Sequence, residues 1–434
     1  MRLFRQDILS AQPAKLYRAW MAEFRTPFFR SYLINDTELV RTVLKDRPAD
    51  FPKSDRIGAG LRPLLGDSVF LTNGAVWEKQ RRIIDPAFEG GRLRDTFPGI
   101  VAAGQAAVDR IAPLANGPAQ EIEVMTSHIA ADVIFRTLFS IPIEDDIAQK
   151  VFAEFKAYQR SQPILNLAAL IRGPRWMPRF FRRGTVRTAQ SIRQLITRLT
   201  QDRLATIAAG TAPDDLATKI MTTKDPQTGD TFSVDEMVDQ VAIFFLAGHE
   251  TSASALAWAL YLLALYPDWQ DTLAQEAAAF DGDFADLSKL ALTRDVFRET
   301  LRLYPPVPMM VRETAKAERF RKRLVKRGAQ IVLSPWHLHR HNRTWDNPDG
   351  FDPTRWQTPN GRDGARHAFI PFSAGPRVCT GAGFAMIEGV VLLAMLLRNF
   401  TFDLSDGPPP VPVAHLTVRA KDGIWLRITP RMSR

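Results

Sequence analysis

Cysteine is nearly absent. The 434-residue chain has one, Cys379, so no internal disulfide can form and nothing calls for an oxidising compartment. No second cysteine and no CxxC spacing accompanies it, which argues against a structural zinc site. The opening stretch, MRLFRQDILSAQPAKLYRAW, lacks an apolar run of signal-peptide length. It is also far short of a membrane span, which takes about 20 apolar residues. Repeats, low-complexity linkers and long Gly/Ser tracts are missing as well. Together these absences predict one large cytoplasmic domain over residues 1–434 with no integral membrane segment. Acidic residues are the minority, with 47 Asp and Glu against 57 Lys and Arg and a net charge of +10. Basic clusters stand at 179–187 and 319–327, but no zinc spacing or RNA-binding signature accompanies them. They read as solvated faces, and nucleic acid is not expected as a partner.

What the chain does have is helical periodicity. Residues 36–46, 98–114, 118–140, 146–160 and 185–208 read as helices, and strand-like pieces are confined to 28–34, 329–335 and 417–429. The class is mainly α with small β-sheets. One helix stands out. Ser233-Val-Asp-Glu236 is a capping box, and no proline follows until Pro267, which permits a helix of about 50 Å. Its second half is apolar around the full circumference, so it is buried. AGHETS at its centre carries His249 and Glu250, which favours a protein core over lipid.

The lone thiol sits in FSAGPRVCTGAG, Phe372 to Gly383. A free cysteine is most often a small buried hydrophobe, but these neighbours are unusual. Gly375, Gly381 and Gly383 let the backbone bend toward something flat, Pro376 stiffens the turn, and Arg377 supplies a fixed charge. Loop N–H groups and the start of the apolar helix that follows would lower the basicity of a thiolate. One axial thiolate on a haem iron needs a single cysteine, and the count fits.

These residues meet the haem-ligand signature FxxGxRxCxG at every fixed position, through Phe372, Gly375, Arg377, Cys379 and Gly381. The chain resembles the cytochrome P450 family, and the likeness runs from about Asp36 to the C-terminus through further motifs in order. Glu299 and Arg302 in ETLR resemble its ExxR pair, joined by Arg355 in FDPTRW; the implied role is structural. An isolated pair of this kind would be an ordinary ion pair. Glu250 and Thr251 resemble the acid–alcohol pair that delivers protons during dioxygen activation. A bond from Thr251 back to the Ala247 carbonyl would loosen the long helix there, with Gly248 removing bulk. Trp77 and Arg81, at i and i+4 in WEKQR, resemble the partners of a haem propionate, and Arg312 and Arg377 the others.

The resemblance implies haem b and a soluble, bacterial-type monooxygenase inserting one atom of dioxygen into a hydrophobic substrate such as a fatty acid, terpenoid or aromatic compound. It implies electrons from a separate ferredoxin or flavodoxin with its reductase, an acidic partner that Lys79 and Arg82 would face. A peroxygenase or isomerase, and a non-catalytic haem-binding protein, are the alternatives; retention of Glu250 and Thr251 weighs against both. The implied substrate pocket is lined by the 55–70 loop, the 160–182 region, Phe244 and Ala247, the segment with Val307, Met309 and Met310, and the 413–416 loop. The stretch 23–36 departs from the family in lacking an evident hairpin turn, which predicts a short or irregular first sheet.

Overall fold

A capped start and a downstream proline set the longest element. In a computed structural model of the chain, which describes residue 9 and residues 13–25, 30–161, 183–414 and 416–431, the capping box is formed. Glu236 N–H donates to Ser233 Oγ at 3.3 Å, and Ser233 N–H donates to the Glu236 carboxylate at 2.9 Å. The helix runs 32 residues, Val234–Leu265, and stops at Tyr266 before Pro267.

In chain order the helices are α1 (Thr37–Arg41), α2 (Asp55–Leu65), α3 (Gly74–Ile84), α4 (Gly90–Ile111), α5 (Ile122–Phe139), α6 (Asp146–Ser161) and α7 (Arg183–Ala208). Then come α8 (Leu216–Thr222), α9 (Val234–Leu265), α10 (Pro267–Ala277), α11 (Ala291–Leu303), α12 (Pro335–Leu338), α13 (Pro359–His367) and α14 (Ala382–Asn399). The strands are β1 (Met21–Arg25), β2 (Arg30–Ile34), β3 (Gln120–Glu121), β4 (Met310–Glu313), β5 (Glu318–Phe320), β6 (Arg323–Val325), β7 (Gln330–Leu333), β8 (Phe400–Leu404), β9 (Pro412–Ala414), β10 (Val418–Ala420) and β11 (Trp425–Pro430). They form a sheet of order β1-β2-β7-β4, a sheet β3-β11-β8, and two hairpins, β5-β6 and β9-β10.

The largest apolar cluster surrounds α9, taking in Phe135, Phe139, Phe155, Phe245 and Trp258. A smaller one, with Tyr32, Phe51, Ile331, Trp345 and Trp356, lies under the four-stranded sheet. Gly248 lets α9 approach α5: a Cβ there would lie 2.5 Å from Ile134 Cδ1. Its smallness is a packing requirement between two helices, which refines the expectation that it opens space. Among the described residues only α14 is long and apolar enough to cross a bilayer, and 61% of it is buried inside the protein, as a core helix is.

Several boundaries differ from the sequence reading. The first sheet is regular: β1 and β2 pair antiparallel without a break, from Met21↔Ile34 to Arg25↔Arg30. Parallel pairing of β2 with β7 supports it from the far side. α4 starts at Gly90, not 98, and carries Pro98 inside it. The expected strand 417–429 is two strands, β10 and β11, with a turn between. The 55–70 region is helical over α2. The 162–182 part of the expected pocket, and residues 179–182 of the 179–187 basic cluster, lie outside the described residues. In the second cluster Arg321 pairs with Asp36 at 2.6 Å and Arg323 with Glu23 at 2.8 Å.

Candidate active site

The loop before α14 is shaped by one glycine. Gly375 has φ +69°, and a Cβ on it would meet the Leu44 carbonyl oxygen at 2.0 Å. Its freedom serves packing on the protein, whereas Gly381 has φ −84° and only Phe88 near its Cβ position, at 4.0 Å. The loop is then closed by backbone: Cys379 N–H donates to the Phe372 carbonyl at 2.9 Å, and Arg81 Nη1 donates to the Val378 carbonyl at 2.7 Å. Cys379 is exposed toward the interior space in front of the loop and enclosed by protein elsewhere. The Gly381 N–H and Arg81 lower the thiol's pKa as expected, but burial outweighs them and the net direction is upward. A metal bound to the sulfur reverses this, since a coordinating thiol is deprotonated outright.

The opposite wall of that space is the middle of α9. In the mostly buried middle of this helix, Ala247 is exposed and Phe244, Gly248 and Thr251 are half-buried, all on one face. Phe88 links the two walls, lying against Gly381 and 5.7 Å from the Phe244 ring. Thr251 Oγ1 donates to the Ala247 carbonyl at 2.5 Å, the back-bond read from the sequence, and α9 stays continuous through it. Glu250 is buried and turned elsewhere: its Oε1 accepts from Thr417 Oγ1 at 3.0 Å and Arg419 Nη2 at 3.2 Å. Adjacent in sequence, Glu250 and Thr251 are not brought into contact. His249, given no role, is buried against Ser127 Oγ at 2.7 Å, and burial pushes its pKa down to about 3. Val307, Met309 and Met310 are half-buried.

A third side of the site is a cluster of cations round Trp77. Lys53, Arg81 and Arg377 lie 5.6, 6.0 and 5.3 Å from its ring centroid. Arg312 is buried, and among the described residues its only side-chain bond is to its neighbour's carbonyl, Val311, at 3.1 Å. Arg377 Nη1 donates to the Pro48 carbonyl at 2.7 Å, while its Nε is buried without a partner among the described residues. Burial, then Arg312, Arg377 and Arg81, push the Lys53 pKa down to about 6; burial and Arg377 push Arg312 down to about 10. Among the described residues, the one carboxylate ion-paired with these four cations is Asp85, held by Arg81 at 2.8 Å. Buried cations without anions are costly. The set fits a ligand that brings two carboxylates, as the haem propionates do. Lys53 was not foreseen. It is a lone lysine in a loop, and only the fold brings it to Trp77.

Behind the loop, Glu299, Arg302 and Arg355 form the expected network, all 3% exposed or less. Arg302 grips Glu299 through two bonds of 2.8 and 2.9 Å, and Arg355 reaches it at 3.2 Å. The remaining donors take carbonyls of His339, Asp346, Asn347, Pro348 and Gly350. His339 carries the order onward: its Nε2 accepts the Ile370 N–H at 2.9 Å, two residues before Phe372. The network thereby fixes the segment that leads into the cysteine loop. Lys79 and Arg82, expected to face an electron donor, are engaged within the chain. Lys79 pairs with Asp230 at 3.3 Å and Arg82 with the fully buried Asp225 at 2.6 Å.

Glu388 on α14 was also unforeseen. It is buried, one oxygen accepts from Ser252 Oγ at 2.6 Å, and the other has no partner among the described residues. Burial pushes its pKa from an ordinary 4.5 up to about 8. Unfolding releases its proton across that interval, so the carboxyl subtracts stability as pH rises from 4.5 to 8. Glu388→Gln loses nothing over that range. Its stability relative to the parent should therefore grow by up to about 4 kcal/mol between about pH 5 and pH 8, read from urea midpoints. A difference that stays constant with pH would contradict a buried neutral acid.

A family model described as Cytochrome P450 matches residues 16–426. Cytokinin hydroxylase of Arabidopsis thaliana is 28% identical over 408 residues, covering 92% of this chain and 78% of that protein. Cytochrome P450 4X1 of Homo sapiens is 28% identical over 447 residues, covering 98% and 85%. The crystal structure of cytochrome P450DA heme domain superposes with a TM-score of 0.82 at 23% identity, covering 95% of this chain and 90% of that one; it shows the fold. The two sequence relatives are a plant and an animal protein, so a bacterial character gains no support from them.

Proposed function

The chain belongs to the cytochrome P450 family and is a haem-thiolate monooxygenase that binds haem b, and we propose a division of labour among its residues. Cys379 is the iron ligand, with Phe372 and Gly381 holding its loop. Lys53, Trp77, Arg81, Arg312 and Arg377 hold the acid groups of the cofactor. The observation that carries this is the lone exposed cysteine beside a cluster of four cations, Lys53, Arg81, Arg312 and Arg377, that has one ion-paired carboxylate, Asp85, among the described residues. When bound, haem activates dioxygen and supplies the oxidising power that places one oxygen atom in the substrate. The chain's residues control protons, water and orientation. Thr251, tethered to Ala247, presents its hydroxyl on the open face of α9 and holds the water that brings protons. Glu250 is the acid behind it.

Phe244, Ala247, Val307, Met309 and Met310 form the apolar wall against the substrate, which is a fatty acid, terpenoid or aromatic compound. Methionine packs adaptably round varied shapes. A Soret-shift titration across those three classes tests the assignment, and binding confined to polar compounds would overturn it. Electrons arrive from a separate acidic ferredoxin or flavodoxin with its reductase, drawn by the net charge of +10. The single cysteine fits a cytoplasmic protein.

Thr251→Ala separates dioxygen activation from a peroxide-driven reaction. It removes the hydroxyl while leaving the helix ladder intact. Product formed per reductant consumed should fall by about tenfold or more, the scale of a lost proton-transfer group. Reductant use itself should persist. Unchanged coupling would favour a peroxygenase or isomerase.

A further inference from the structure

Glu250 is held by the C-terminal hairpin, not by its own helix. Thr417 Oγ1 and Arg419 Nη2 donate to the same oxygen, Oε1, at 3.0 and 3.2 Å. Oε2 is buried and has no partner among the described residues. A neutral carboxyl carries its proton on one oxygen, and the oxygen already accepting two donors is the poorer place for it. We propose that Thr417 and Arg419 are positioning residues that direct the proton of Glu250 to Oε2 and so set the acid for the delivery step assigned to it above. The inference rests on that reading of Glu250.

The hairpin is built to hold these two donors still. The Val418 carbonyl accepts from Ser254 Oγ of α9 at 2.5 Å, and Val418 N–H donates to the Pro306 carbonyl at 2.9 Å. Ala420 N–H donates to Glu123 Oε1 of α5 at 2.9 Å, and Arg419 Nη2 also reaches Gln159 Oε1 of α6 at 3.3 Å. Strand β10 is thereby tied to three helices. Thr417 is buried, whereas the Arg419 side chain is 34% exposed and reaches solvent.

Burial favours the neutral acid, and the charge that faces it, on Arg419, opposes burial and favours the carboxylate. Burial raises the Glu250 pKa, and Arg419 and Thr417 pull it partway back. Arg419 is the charged group that faces Glu250, and it is shared with Glu121 and Glu123 at the start of α5. Glu123 is itself raised to about 7 by burial, and neighbouring His249 is neutral. In the step, the Oε2–H bond breaks and the proton passes to water. The carboxylate left behind is balanced by the Arg419 guanidinium. A proton from solvent, entering beside Arg419, restores the acid.

The test pairs infrared spectroscopy with coupling. The carbonyl stretch of a protonated carboxyl is read as the parent-minus-Glu250→Gln difference across pH, without turnover. Product per reductant is measured on the same proteins. The parent should show the band at neutral pH. Thr417→Val, which keeps the shape and removes one donor, should move the band and raise the pH at which it disappears. Arg419→Gln should do the same and lower coupling by about tenfold, with Arg419→Lys restoring part of it. If Glu250→Gln leaves coupling unchanged, the acid assignment itself is wrong. If Glu250→Gln uncouples but Thr417→Val and Arg419→Gln keep the parent's band and coupling, the positioning role is wrong and the acid assignment stands.

Discussion

Cys379→Ser is expected to leave a folded protein and abolish the thiolate-type haem spectrum together with all turnover. The fold survives because nothing in the loop depends on sulfur. Its closure comes from the Cys379 N–H on Phe372, Arg81 on Val378, and Gly375 against Leu44. The side chain is exposed to the interior space and fills no core position. Haem should still associate, because the cations round Trp77 remain, but it should be held more weakly and without the electron-rich ligand that favours O–O cleavage. The check is the ferrous carbonyl spectrum beside circular dichroism. A variant that kept the parent's Soret position would place the iron ligand elsewhere.

The second large effect lies at Glu299. Glu299→Ala strands two guanidiniums, Arg302 and Arg355, that are 0% and 3% exposed. Removing one partner of a buried ion pair costs about 3–5 kcal/mol. Against a total stability on the order of 5–15 kcal/mol, most of the margin goes. Carbonyls from His339 to Gly350 are held by those same guanidiniums, and the order transmitted through His339 to Ile370 goes with them. The expected outcome is a sharp fall in soluble, haem-loaded protein. Urea unfolding of whatever remains should give a midpoint far below the parent. Arg302→Lys should fail nearly as badly, because one ammonium cannot make the two parallel bonds to Glu299 and still reach the carbonyls. A near-parental midpoint for either variant would show that the network is not what supports the loop.

The parts of the site that were legible in the sequence are those written in short spacing. Cys379 with its glycines, the Ser233–Glu236 cap, Glu299 with Arg302, and the Thr251-to-Ala247 bond each lie within one turn or one loop. What stayed hidden depends on contacts that only the fold makes. Lys53 reaches Trp77 from another element, and Glu388 meets Ser252 across two helices. The donors to Glu250 come from the far C-terminal hairpin. The ion pairs of Lys79 with Asp230 and of Arg82 with Asp225 are likewise made between residues remote in sequence. The strand that pairs with the first hairpin, β7, is likewise far from it in sequence. For Cys379 the local signs were read correctly and weighed wrongly: the Gly381 N–H and Arg81 act as expected, but desolvation is the larger effect.

One spectrum decides the central assignment. The purified chain, reconstituted with haem, is reduced and exposed to carbon monoxide. Thiolate ligation from Cys379 should give the strongly red-shifted Soret band of a sulfur-bound ferrous carbonyl. A band at the position of a histidine-ligated carbonyl, or no haem retained at all, would contradict it.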